Sequence, residues 1–245
     1  MSVPLLGLIV PRKVEVPSEA STMYPTGVEF LVEAVGLEFM TPAGYDSVLD
    51  RIVPAAQALA QRGVQAIALM GTSLTFYKGA AFNESLTSAI RNATGLPATT
   101  MSTAVVEGLR AVGGYRVAVA TAYNEEVTER LRVFLTESGF DVRASAGMGL
   151  ERIGEAGKVP PPNLHAFVTE VFRAARGCDA ILVSCGGFRT LELIAPLERE
   201  FGVPVVSSMP HALWAGVRLL GLDGPAPGFG RLLTSHQPTA RTFPG

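Results

Sequence analysis

The sequence predicts an α/β protein made of two pseudo-symmetric halves, each a short parallel sheet flanked by helices, with the site in the cleft between them. Three observations predict it. Short apolar runs alternate with helical segments along most of the 245 residues, the pattern of parallel strands covered by helices. Two strand-to-turn segments match, AIALMGTSL at Ala66–Leu74 and AILVSCGG at Ala180–Gly187. Each is followed by a second echo, GLPATT from Gly95 and GVPVVSS from Gly202. A strand, helix, Gly-X-Pro, strand unit thus occurs twice, as in an internally repeated fold. The predicted halves are residues 1–112 plus a C-terminal helix and tail, 209–245, and residues 113–208, forming one intertwined unit over 1–245.

The elements follow in order. Leu5–Val10 is an unbroken apolar run and reads as a buried strand, whereas Val28–Met40 fits either loop or strand. Tyr45–Arg62 places Ile52, Ala56, Leu59 and Ala60 on one helical face. A strand at Ala66–Met70, a helix at Ala80–Ala93, a strand at Ala98–Thr100 and a helix at Thr103–Val112 complete the first half. Arg116–Ala120 reads as a strand, Asn124–Glu137 as a helix and Val142–Met148 as a weaker strand. Pro160-Pro161-Pro162 opens a helix to Arg176, because proline suits the first helical turn. Ala180–Ser184 and Val203–Ser207 are strands around a helix at Thr190–Phe201, and His211–Leu220 is a helix. Gly and Pro dominate from Asp223, which predicts a loose tail.

Composition excludes several function classes. Lys and Arg are scattered and the formal net charge is −2, so the basic footprint of a nucleic-acid binder is missing. No apolar run reaches membrane-spanning length, and MSVPLLGLIVPRK lacks the basic lead-in and cleavage site of a signal peptide. The expectation is a cytoplasmic monomer with two reduced thiols. Cys178 and Cys185 sit at opposite ends of one predicted strand, too far apart for a disulfide.

In open parallel sheets a ligand lies beyond the carboxyl ends of the strands. Val10-Pro11, Gly71-Thr72-Ser73, Thr121-Ala122-Tyr123 and Ser184-Cys185-Gly186 all fall at such ends and should converge. Cys178, at a strand start, reads as structural packing. Cys185 meets a Gly-Gly turn, where a thiol can face a cleft and act as acid, base or nucleophile. Thr72, Ser73 and Tyr123 taken singly are cap or turn residues, and together form a neutral donor array able to hold a carboxylate or an enediolate without a metal. His165, His211 and His236 lack metal-ligand spacing and read as surface or cap residues, so no metal site is expected. Glu125, Glu126 and Glu129 read as a solvated helix face. GLRAVGG near Gly108 follows a helix, not a strand, which removes it as a dinucleotide fingerprint.

These motifs resemble the aspartate/glutamate racemase superfamily, which includes maleate isomerase and hydantoin racemase, and within it the arylmalonate decarboxylase family. The resemblance spans GLIVP (Gly7–Pro11), TPAGYD (Thr41–Asp46), LMGTSLTFYKGAAFN (Leu69–Asn83), ATGLPATTMSTAV (Ala93–Val105), ATAYNEEV (Ala120–Val127), SCGG, GVPVVSS and GFGRL (Gly228–Leu232). Racemases of the superfamily carry cysteines at both strand ends; Gly71 with Cys185 is the decarboxylase pattern. The resemblance implies cofactor-free decarboxylation of α-aryl or alkenyl malonates to chiral monoacids. Thr72, Ser73, Tyr123 and backbone N–H groups around Ser73, Cys185 and Gly186 would form a dioxyanion hole, with Cys185 as proton donor. Gly71 and Pro11 would border the substrate, and Leu37, Met40, Tyr45, Ile153 and Ala156 would line an apolar pocket for the departing carboxylate. A racemase or cis-trans isomerase of a small amino acid or dicarboxylate, or a non-catalytic carboxylate-binding protein, are the alternatives.

Overall fold

The computed structural model describes residues 3–224, 226 and 228–234. Its first sheet is built from β1 (Leu5–Val10), β2 (Glu29–Ala34), β3 (Ala66–Leu69) and β4 (Ala98–Thr100), all parallel, in the order β2-β1-β3-β4. The second sheet uses β5 (Arg116–Thr121), β6 (Asp141–Gly147), β7 (Ala180–Ser184) and β8 (Val205–Ser207) in the order β6-β5-β7-β8. The two orders are the same once the strands are counted from the start of each half. β3 and β7 are therefore equivalent, and so are the turns that follow them. The segment over Val28–Met40, open between loop and strand, supplies the edge strand β2.

Eleven α-helices lie among the described residues. α1 (Ser18–Met23) follows β1, and α2 (Pro42–Asp46) and α3 (Leu49–Gln61) follow β2. The single helix expected at Tyr45–Arg62 is thus two. Thr41 caps α2 through Gly44 N–H, with Pro42 at the first position, and the chain breaks before Leu49. The buried face of α3 is Ile52, Ala55, Ala56 and Leu59, with Ala55 in the role expected of Ala60. α4 (Thr72–Phe76) is one turn that no sequence pattern announced, and α5 (Ala80–Thr94) follows it. α6 (Met101–Ala111) starts two residues before its expected position because Thr100 accepts Thr103 N–H at 3.0 Å as its cap. α7 (Glu125–Glu137), α8 (Pro161–Ala174), α9 (Leu191–Phe201) and α10 (Ser208–Leu219) cover the second half.

The tail is ordered further than expected. Its described residues fold back, with Ala226, Leu232 and Leu233 buried and a helix α11 (Arg231–Thr234). A polar clamp holds it: the buried Glu198 carboxylate of α9 accepts Val205 N–H at 3.0 Å and Arg231 N–H at 2.9 Å. Residues 235–245, with His236, lie outside the described residues. α10 returns to pack on α6, β3 and β4, and no described helix is long and apolar enough to cross a membrane.

One core runs through both halves. Ile9, Leu69, Val105, Val119, Leu182 and Val206 belong to a single continuous cluster. A second cluster fills the other face of the first sheet, where Leu6, Leu8 and Ala68 meet Leu213 and Trp214 of α10. Near-complete burial on both faces is what a parallel sheet requires.

Candidate active site

The strand ends converge on one cavity of 540 Å3. Its wall contains Pro11 after β1, Gly71, Thr72 and Ser73 after β3, Tyr123 after β5 and Cys185 and Gly186 after β7. Leu37, Met40, Ile153 and Ala156 come to the same wall from two loops, which a bridge between Phe39 and Arg152 fastens together. Of the residues picked from sequence, Tyr45 is the one outside this wall. It is fully buried behind it, with its ring 4.9 Å from that of Tyr77. The inward turn of α2 buries the ring behind the cavity wall, where Ser73 and Cys185 of that wall act on its phenol. Its hydroxyl makes no hydrogen bond to the described residues.

Sequence reading passed over Met70, Leu74, Met209, Lys13 and Arg189, which line the cavity together with Arg12. Most are chain neighbours of residues it did pick, so adjacency was the available signal. Met209 is different: it enters at the start of α10, far along the chain from the loops it faces.

The hydroxyl cluster is held from behind. Thr72 Oγ1 donates to Ser208 Oγ at 2.9 Å, and the Thr72 carbonyl accepts Ser102 Oγ–H at 2.9 Å. Ser102 in turn pairs with Thr75 Oγ1 at 2.6 Å. Because α4 begins at Thr72, its first N–H groups have no partner within the helix and are free to serve a ligand. Tyr123 OH lies 3.4 Å from Ser184 Oγ at the end of β7. Burial pushes the Tyr123 phenol well above its ordinary range, Cys185 adds to this, and the hydroxyls of Ser184 and Thr72 offset it. Tyr123 therefore stays a protonated donor.

Cys185 is a free, buried thiol. Burial pushes it up to about 11, offset in part by the N–H groups of Gly187 and Phe188 and by Tyr123. Gly187 N–H reaches the sulfur at 3.4 Å. A side chain at Gly187 would put its Cβ 3.2 Å from Ala156 Cβ, so glycine lets the two loops close over the thiol. At the equivalent place after β3, Gly71 is extended with φ −162°, a conformation open to any residue. What glycine provides there is an absent side chain.

Two expectations outside the cavity resolve differently. His165 is a partly exposed residue bridged to Glu200 at 2.8 Å. His211 is buried, not on the surface: its Nδ1 accepts Ser207 N–H at 3.0 Å, and burial lowers its pKa to about 4. Among the described residues no group of three or more His, Cys, Asp or Glu side chains is placed to hold a metal.

The family profile described as arylmalonate decarboxylase matches residues 6–233. This chain belongs to the arylmalonate decarboxylase family. Arylmalonate decarboxylase of Bordetella bronchiseptica is 46% identical over 233 residues, which cover 94% of this chain and 97% of that protein. A solved arylmalonate decarboxylase superposes with a TM-score of 0.83 at 44% identity, covering 94% and 99% of the two chains. The maleate isomerase of Pseudomonas putida S16 shares the fold, with a TM-score of 0.88 at 22% identity over 96% of this chain and 100% of that one. Membership of the arylmalonate decarboxylase family makes the protein an enzyme, a carboxy-lyase.

Proposed function

We propose that this enzyme decarboxylates α-aryl and α-alkenyl malonates to chiral monocarboxylic acids through an enediolate that one cysteine protonates. The observation that carries the proposal is a single buried, protonated thiol sharing a cavity with a hydroxyl cluster, while the equivalent strand end bears glycine.

One carboxylate of the substrate accepts hydrogen bonds from Ser73, Tyr123, backbone N–H groups near Ser73 and Gly186, and Thr72, whose hydroxyl proton turns from Ser208 to the ligand. The other faces Leu37, Met40, Leu74, Ile153 and Ala156, which cannot solvate it. An unpaired buried carboxylate is costly, and its departure as neutral CO2 removes that cost. The electron pair of the broken C–C bond moves onto the retained carboxylate, which becomes a dianionic enediolate. The donors then bind more strongly than they did the substrate; removing one such donor typically costs about 2.7–4 kcal/mol. Cys185 S–H gives its proton to the α-carbon, and water restores the thiol. A thiol serving as acid needs to be protonated, which is the reverse of what a nucleophilic cysteine needs.

The test is CO2 release from phenylmalonate by the wild-type enzyme and by Cys185→Ser. The variant should lose roughly 10²–10⁴-fold in rate, the usual contribution of a positioned acid. Near-normal turnover in Cys185→Ser removes the proton-donor role. Absence of CO2 release, together with solvent deuterium exchange into maleate or aspartate, replaces the decarboxylase reading with an isomerase or racemase.

A further inference from the structure

We propose that Arg12 selects the substrate, and that the preferred substrate is a malonate whose α-substituent ends in a further carboxylate. This rests on the decarboxylase reading and extends it to the third group on the reacting carbon. The hydroxyl cluster takes one carboxylate and the apolar wall takes the other, so the α-substituent is left facing the open side of the cavity. That side is charged. Arg12, Lys13 and Arg189 line it, with Glu15 and Glu19 as the acids.

These charges are not equally available. Lys13 is bridged to Glu15 at 3.8 Å. Glu19 accepts Ser18 Oγ–H at 3.2 Å and has no cationic partner among the described residues. Arg189 is anchored, with Nε and Nη2 both donating to Gly157 O at 3.1 and 3.0 Å. Arg12 is exposed, and no carboxylate of the described residues lies within ion-pair distance of it. The rim thus sets two arginines against one uncompensated acid, and of the two Arg12 has its whole guanidinium fork free. That planar fork matches a carboxylate in two parallel hydrogen bonds. An unsubstituted aryl group would leave it without a partner. The cavity's 540 Å3 lies within the roughly 300–1,000 Å3 of pockets for drug-sized ligands, which leaves length for a substituent reaching past a phenyl ring.

The test compares phenylacetate with 3- and 4-carboxyphenylacetate as ligands, by calorimetry, in wild-type enzyme, Arg12→Gln and Arg12→Glu. Turnover of the matching malonates is measured alongside. Wild type should favour a carboxylated ligand by about five-fold, the upper end for an exposed ion pair, and the preference should fall with added salt. Arg12→Gln should erase it and Arg12→Glu should reverse it. Equal affinities in wild type, or a preference that survives Arg12→Gln, overturns the proposal. So does a variant that weakens all ligands alike, because that is general attraction of anions to the rim. If none of the malonates releases CO2, the decarboxylase reading fails, while the acetate affinities still decide the role of Arg12.

Discussion

Cys178 and Cys185 flank β7 at its two ends, and only Cys185 meets a turn whose glycines let other loops close over it. Burial pushes the Cys185 thiol up, and it shares the cavity with Tyr123, Ser73 and Thr72, the setting in which we propose that it acts as an acid. With the thiol at about 11, it is protonated below that value and is lost as an acid only as pH climbs through it. The rate should therefore show no Cys185-dependent decline between about 7 and 9, and alkylation by iodoacetamide should be slow, since the thiolate is the reactive form. An alkaline decline in that window that tracks Cys185 alkylation would contradict this. Gly71→Cys probes the opposite face. Its Cβ would lie 3.2 Å from Leu74 Cβ and 3.8 Å from Pro11 Cγ, so the site yields by a few tenths of an ångström and the backbone is already suitable. A second acid there should let the variant racemise 2-arylpropionates, followed by chiral chromatography; products that keep their enantiomeric purity would refute the two-face geometry. These residues were legible because strand ends are legible. Leu74 sits beside them in sequence and is not marked as a wall residue by it, since sequence order does not say which way a side chain points.

Among the elements, the strands and long helices followed their hydrophobic periods, and the short or late ones did not. α4 was invisible because its five residues TSLTF are all buried, so no alternation marks a helix. α11 was invisible because Gly and Pro surround it, while the order comes from a distant carboxylate. Glu198 ties α9, β8 and α11 through two backbone N–H groups. Glu198→Ala should cost about 3 kcal/mol, two charge-assisted bonds at the lower end of their usual worth, measured by urea unfolding. Glu198→Gln keeps an acceptor oxygen and should lose about half of that. Wild-type stability in the alanine variant would mean that apolar packing of Leu232 and Leu233 holds the tail unaided.

For the molecule as a unit, the continuous core across both sheets joins the strand ends that carry the cavity to one packed body. One buried group links that fold to pH. His211 has its pKa lowered from 6.5 to about 4 by burial, so the folded state resists a proton that the unfolded chain accepts. Its contribution is fully present above 6.5 and is lost as pH falls towards 4, a change of roughly 3 kcal/mol. Unfolding free energies measured across that range should decline in wild type, and less steeply in His211→Gln. An equal decline in both would assign the acid sensitivity to other groups.

Local pattern was enough to reveal the α/β class, the repeated unit and the pairing of Gly71 with Cys185, since each depends on a short run of residues and the backbone it favours. It could not show that Ser208 would brace Thr72 across 136 residues of chain, that Met209 would line the cavity, or that Tyr45 would lie buried behind the cavity wall. Those outcomes depend on how α10 and α2 pack, and packing is a property of surfaces brought together from distant parts of the chain.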